Sequence, residues 1–450
     1  MPERNPMQNL PPLAQTDQSA AQELLDDDCH FIEAVARMGD DAEVVAADDI
    51  FEAHGVKLLA KGSRIDSGVL DKLRGHRLRE PIDSLLTART GVSPAGLAAA
   101  AAQAIDADAW WRRLAARSGD AMAVRHGLSR LALPAPLGFR LTVLREQRPA
   151  LYGHSLRTAI LSHYLALRLG LSATDTERLL LAALCHDFGE LHTDPALLEP
   201  GHRISEEERR FVYVHPVTGY LILKQVAAVH PEVARAVLHH HERLDGSGYP
   251  SRLRGDAISR LARILTVADV AESVLGRLGG DRRLSALLRL NLSKYDVRAI
   301  SMLHELLSVG PDPARENAAL APDGLNRQLS LLSGLLSGWA RFRMSLDEPA
   351  MAAAGASLDF LFERIQNLNS TLRQFGFDPD SFETLSTLAR EDPEIASELA
   401  VVVEEMSFQL AEIAREIARR DEAGELNLPA ETQKALASWK KALIAAVADS

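Results

Sequence analysis

The sequence predicts a mainly α protein: a helical central region, a small β-containing unit before it and a helical extension after it. Three observations carry that expectation. Apolar residues recur at helical spacing from about residue 140 onward. Helix-start patterns punctuate the same stretch, whereas strand-like runs are confined to the segment between Glu43 and Leu59. At 450 residues the chain is too long for one ordinary domain, and with 46% hydrophobic residues it can bury more than one core.

Taken in order, residues 1–28 are rich in Pro, Gln, Asn, Asp and Ala and are expected to form a disordered acidic arm. Residues 29–90 read as a small α+β unit. Val44-Val45-Ala46-Ala47 and Val56-Lys57-Leu58-Leu59 flank His54-Gly55 as a hairpin, and Val69 to Leu73 has helical periodicity. Residues 91–130 read as a helical connector built on the Ala-rich stretch from Leu97 to Trp111. Residues 131–310 then form the central helical domain. Its first helix runs from Leu151 to Leu169 and stops at Gly170. Thr174 and Glu177 make a capping-box pattern for the next, as do Ser205 and Glu208 for the one after. Val233 to His241 is a helix broken by the turn Asp245-Gly246-Ser247-Gly248-Tyr249-Pro250, and Ile258 to Leu275 is a strongly apolar helix. In residues 311–450, Leu329, Leu332, Leu336 and Trp339 mark one amphipathic helix, and Leu358, Leu361, Ile365, Leu368 and Leu372 another. Leu399, Val403, Met406, Leu410, Ile413 and Ile417 form a short heptad seam, as consistent with a bundle helix as with a homodimer through these C-terminal helices.

Composition excludes several functions. No stretch nears the roughly 18–20 apolar residues of a membrane span. The two cysteines, Cys29 and Cys185, cannot build a disulfide framework, and the N-terminus has no apolar leader, so a cytoplasmic location is expected. Residues 1–50 carry twelve Asp/Glu against two Lys/Arg, so most of the net charge of −12 lies there and the body is nearly neutral. No basic stripe marks a nucleic-acid polymer as partner. A small anion remains allowed where something local supplies positive charge.

Histidine is the informative residue. Ten of fifteen lie between His154 and His241. His154, His186-Asp187, His215, His240-His241 and Asp269 each fall where a helix can turn them inward, and Asp269 interrupts a helix that is apolar all round. A buried, unpaired carboxylate is costly, so Asp269 needs a cation. Imidazoles and carboxylates together suit Fe, Mn, Zn or Ni. His239 reads as a surface neighbour of the pair that follows it, His163, His202 and His230 as solvated or core residues, and Cys185 as a packing residue.

His154-Ser155-x-Arg157, Ala182-Ala183-Leu184-Cys185-His186-Asp187-Phe188-Gly189, His215-Pro216-x-x-Gly219 and His240-His241-Glu242-Arg243-Leu244-Asp245-Gly246-Ser247-Gly248-Tyr249-Pro250 resemble the HD-GYP phosphodiesterases. Arg252-x-x-Gly255, Ala262-Arg263-Ile264 and Ala268-Asp269 continue the likeness over roughly 150 residues, and neither flank takes part. The resemblance implies a helical HD-type metal-binding domain over 131–310 that hydrolyses cyclic di-GMP to the linear dinucleotide or GMP, through a hydroxide activated by two metal ions. It implies two divalent cations, iron or manganese ahead of zinc or nickel. His154, His186, Asp187 and Asp269 would hold one; His215, His240 and His241 would hold the other, with Asp187 bridging. Relatives with a third metal carry a Glu four residues before the first His, where this chain has Ala150. Asp187, Glu190 and Arg243 are the expected catalytic residues, and Gly248, Tyr249, Pro250 and Arg277 the expected substrate contacts. The partners implied are a cyclic dinucleotide and, for the flanks, signalling proteins.

Two positions depart from the family pattern. Glu190 stands where a Lys near the scissile phosphate is usual. Gly276-Arg277-Leu278-Gly279-Gly280-Asp281-Arg282-Arg283 stands in place of an Arg-Pro-Tyr-Arg-like segment. They leave two alternatives open: a relative that keeps metal but serves as a ligand-sensing or protein-interaction module, and a phosphohydrolase for another nucleotide.

Overall fold

A computed structural model describes residues 15–27, 29–74, 76–117, 122–198, 206–278, 284, 288, 291, 293–307, 322–346, 358–366, 368–369, 387, 390, 393–422, 424, 426 and 428–448. The chain divides into two compact units, one of residues 1–273 and 293–308 and the other of residues 274–292 and 309–450. The division after Ser308 falls two residues before the expected boundary at 310, and no division falls near 131. The leading segments share a unit with the histidine-bearing helices.

The first unit opens with α1 (Gln15–Asp27) and α2 (Cys29–Asp41). The expectation of a disordered arm is corrected over 15–27, where Ala21 is buried against Val214, Val217 and Leu238; residues 1–14 lie outside the described residues. The hairpin is corrected in its pairing. β2 (Ile50–Phe51) pairs with β3 (Lys57–Leu59), while β1 (Val44–Ala46) pairs antiparallel with β4 (Leu86–Ala88). All these runs are two or three residues long, so local alternation left their partners undetermined. The short helices α3 (Leu70–Leu73) and α4 (Ile82–Leu85) complete this part.

The Ala-rich stretch is two helices, α5 (Pro94–Ala107) and α6 (Ala109–Arg117). Asp108 between them is extended and its carboxylate accepts from the Trp110 N–H at 2.7 Å, a local turn that competes with helix continuation. Leu97, Ala101, Trp110 and Leu114, with Leu128 of α7 (Ala123–Ser129), are buried, so this stretch contributes core.

Next come α8 (Ala135–Gln147), α9 (Pro149–Arg168) and α10 (Ala173–Cys185). The cap of α10 is Ser172, whose side chain accepts from Asp175 N–H, and Glu177 instead accepts from Ala132 N–H at 3.0 Å. The Ser205 pattern lies outside the described residues. Then follow α11 (Glu206–Tyr213), α12 (His215–Gln225), α13 (Pro231–Leu238), α14 (Arg260–Leu278) and α15 (Val297–Leu307). His230 caps α13 by accepting from Glu232 N–H. His239 is buried rather than a surface neighbour, and burial pushes it down to about 4.

The second unit holds α16 (Pro322–Met344), helical residues 358–366, α17 (Pro393–Glu422) and α18 (Ala430–Ala448). Leu399, Val403, Met406, Leu410, Ile413 and Ile417 are buried in one core with Leu329, Leu332, Trp339, Leu361 and Trp439. The heptad seam is thus buried in the core of its own unit. Among the described residues no helix is long and apolar enough to cross a membrane.

Candidate metal centre

The seven residues singled out by spacing meet in the first unit as two groups. Ligand atoms of Asp187, His215, His240 and His241 lie within 4.8 Å of one another, and so do those of His154, His186 and Asp269. Each side chain arrives from a helix or its end. His154 lies on α9, His186 follows α10, His215 opens α12, His240 and His241 follow α13, and Asp269 lies on α14. Gly189 lets the turn after Asp187 pack on α12: a Cβ there would collide with the backbone of His215.

The imidazoles are aimed by their far nitrogens. Nδ1–H of His186, His215 and His240 donates to the carbonyl three residues back, of Ala183, Val212 and Val237, at 2.8, 2.7 and 2.6 Å. A carbonyl only accepts, so the proton sits on Nδ1 and the Nε2 lone pair faces inward. His154 is held differently: its Nδ1 donates to the Glu272 carboxylate, which also accepts from Arg157 Nε. Glu272 is buried one helical turn after Asp269.

The two oxygens of Asp187 face different groups. Oδ2 is 3.0 Å from His186 Nε2 and 3.6 Å from His154 Nε2, while Oδ1 is 3.5 Å from His215 Nε2 and 3.7 Å from His240 Nε2. Asp269 Oδ1 is 3.1 Å from His154 Nε2.

The donor set fits a cation. Nε2 of His215 and Nε2 of His240, both facing inward, lie 3.3 Å apart beside a carboxylate oxygen. Such an arrangement repels unless a positive ion lies between. Burial pushes His215 down to about 4 and His241 well below its ordinary value, with neighbouring imidazoles depressing both further. Both therefore stay neutral, as a ligand requires. For His154, burial is outweighed by Asp269 and Glu272, which raise it to about 11.

Of the other expected site residues, Glu190 lies in the 3-10 turn Phe188–His192. Burial, reinforced by the Asp187 charge, raises its carboxyl to about 8 against the pull of His154, His186 and Arg148. Arg148 Nη2 donates to the Thr193 carbonyl at 3.2 Å. Arg243 Nη1 donates to the Glu242 carbonyl at 3.1 Å and its guanidinium lies 5.2 Å from the Tyr295 ring centre. Tyr249 stacks on His241, centroids 4.7 Å apart at 26°, and its ring meets Tyr213 at 4.6 Å. Gly248 has no room for a Cβ against the backbone of His241, Glu242 and Arg243. The buried carboxylate of Glu242 accepts from the N–H of Ser251 and of Leu253, pinning the loop that carries Pro250. Arg277 falls in the last turn of α14 with its side chain outside the described residues, as are residues 279–283.

Sequence reasoning assigned no role to Glu272, Glu242 or Tyr213. Glu272 had a signal, an acid at i+3 from Asp269 on an otherwise apolar helix.

Comparison with known proteins agrees with the resemblance. Residues 141–296 match the family model described as HD domain. A 3'3'-cGAMP-specific phosphodiesterase 3 of Vibrio cholerae serotype O1 is 32% identical over 38% of this chain and 35% of its own length. From the same organism, 3'3'-cGAMP-specific phosphodiesterase 1 is 37% identical over 27% and 28%. The cyclic di-GMP phosphodiesterase response regulator RpfG of Xanthomonas campestris pv. campestris is 41% identical over 24% and 29%. The chain spans about a third of the length of these curated relatives.

Proposed function

We propose, with residues 141–296 as an HD domain of the HD-GYP type, that this chain is a metal-dependent phosphodiesterase acting on a cyclic dinucleotide. One observation carries the reading: the two oxygens of Asp187 face two separate clusters of inward Nε2 and carboxylate donors. His154, His186 and Asp269 would hold one divalent ion, His215, His240 and His241 a second, with Asp187 shared between them. Bound there, two such ions supply Lewis acidity toward a phosphodiester and lower the pKa of water.

The residues around the ions keep the donor set in register. Glu272 holds the His154 proton on Nδ1, and the carbonyls of Ala183, Val212 and Val237 do the same for His186, His215 and His240. Tyr249 covers His241 and excludes water from that side. Its ring lies between His241 and Tyr213, so Tyr249 orients a ligand and the half-exposed Tyr213 offers the outer aromatic face. Arg243 braces the backbone of the His240–Glu242 segment and acts through it.

Iron and manganese fit the mixed imidazole and carboxylate set, with zinc and nickel next. The test is incubation of the full chain with Mn(II) or Fe(II) and, separately, cyclic di-GMP and 3'3'-cGAMP, with chromatography of products. Linear dinucleotide or mononucleotide supports the reading; metal-loaded protein that leaves both substrates intact contradicts it. Glu190 favours a second reading, a metal-bound module that binds a cyclic dinucleotide without turning it over, because it sets a carboxyl beside the centre where the family pattern it resembles has a Lys. That reading expects binding without product in the same assay.

A further inference from the structure

We infer that the N-terminal segment is a positioning clamp on the metal centre, acting through a buried chain of side chains, Phe31, His192, Arg140 and Asp83. The inference rests on the metal reading above but uses contacts that reading leaves aside. His192 ends the 3-10 turn Phe188–His192, which begins immediately after Asp187. Its Nε2 accepts from Arg140 Nη1 at 2.9 Å, and Arg140 Nε donates to the Asp83 carboxylate. Arg140 lies on α8 and Asp83 on α4, each 4% exposed, and His192 is 2% exposed. The Phe31 ring of α2 stacks on His192, centroids 5.3 Å apart at 25°, and lies 4.3 Å from the Arg140 guanidinium carbon. The far end of the turn is therefore gripped on its ring face by α2 and on its ring edge by an arginine that α4 orients.

Cohesion alone is a poor reason for this arrangement, because a buried ion pair gains little over an apolar pair of similar volume. Direction is a better reason. The guanidinium is a rigid planar fork, so fixing one arm on Asp83 fixes where the other arm meets His192. The turn is five residues long and tight, with Glu190 N–H donating to Asp187 O at 2.9 Å and Thr193 N–H to Glu190 O at 3.1 Å. A shift of the His192 end is passed to Asp187, whose two oxygens face the two donor groups. A second contact acts on the other group: Ala21 of α1 packs on Val214, Val217 and Leu238, which flank His215 and His240 in sequence. Asp83 and Phe31 are thus positioning residues for a centre that neither touches.

The test uses the full chain loaded with cobalt(II), reading its visible absorption and its rate of cobalt loss to a chelator, beside thermal melting of the metal-free chain. His192→Leu fills the site with an apolar side chain and loses the acceptor; His192→Gln keeps an acceptor for Arg140. The double variant Asp83→Leu with Arg140→Met removes both charges, so that neither is left unpaired. His192→Leu and the double variant are expected to lose cobalt about tenfold faster with an altered spectrum. His192→Gln is expected to stay close to the wild type, and metal-free melting to remain similar throughout. Wild-type spectrum and release rate in His192→Leu would overturn the inference, as would cobalt loss that merely follows melting temperature across the variants. A wild-type chain that takes up no cobalt would overturn the metal reading itself, a result distinct from either.

Discussion

His154 and the other inward histidines, His186, His215 and His240, are oriented by different means. Around His154 the work is done by side chains: Glu272 holds Nδ1, Arg157 holds Glu272, and Asp269 faces Nε2. Around His215 and His240 it is done by backbone carbonyls one helical turn back. Each half has one half-buried histidine, His154 in the first and His241 in the second, with the other ligands buried. His154 is therefore adjustable by single substitutions away from the ligands, whereas His186, His215 and His240 are fixed by backbone carbonyls. The acidic neighbours of the first half also raise His154, whereas burial among imidazoles lowers His215 and His241. A cation entering the first half must displace a proton from His154; in the second, His215 and His241 offer neutral nitrogens.

That contrast can be broken first at the residue both halves share. Asp187→Ala is expected to empty both positions, seen as loss of nearly all bound metal by elemental analysis. His215→Ala is expected to remove one ion and spare the other. Equal loss in the two variants would mean that the halves do not act separately. Next in size, Glu272→Gln removes the charge that orients His154 and is expected to weaken one metal equivalent about 10- to 100-fold while leaving the other unchanged, measured by competition with a chromophoric chelator. No comparable substitution exists for the backbone-held imidazoles of His186, His215 and His240. Glu190→Gln is expected to raise cyclic dinucleotide turnover above about pH 8, where the Glu190 carboxyl ionises, with little change at neutral pH and unchanged metal content, because two anions about 4 Å apart repel by about 1 kcal/mol in water and by about 4 at an effective dielectric of 20. An unchanged rate above about pH 8 would mean that the Glu190 carboxyl is turned away from the phosphate during turnover. The smallest effect is expected at Tyr249→Leu, where loss of a ring pair worth about 0.5–1.5 kcal/mol corresponds to roughly a 2- to 12-fold weaker hold on the His241 side.

The metal-binding half of this picture was legible in the sequence for a physical reason. Inward histidines and aspartates in such number are costly to bury without a cation, and ten of the fifteen histidines fall in one helical stretch. The helices α9, α10 and α14 were legible from periodicity over several turns. The strand pairing was not, since Val44–Ala46 meets Leu86–Ala88 across some forty residues that carry no register signal of their own. The Asp83–Arg140–His192 contact was hidden likewise: each residue alone reads as an ordinary surface charge or core histidine, and only the fold brings them together. The C-terminal seam was read correctly as apolar and helical, but periodicity could not say which helix would cover it.

The most direct measurement is made on the full chain, loaded anaerobically with Mn(II) and read by both metal content and electron paramagnetic resonance. A shared Asp187 between two donor groups is expected to give about two ions per chain with a spin-coupled signal, because paired metal sites lie about 3.5–4 Å apart. Less than half an equivalent of metal, or two equivalents showing only the spectrum of isolated Mn(II), would contradict a centre bridged by Asp187.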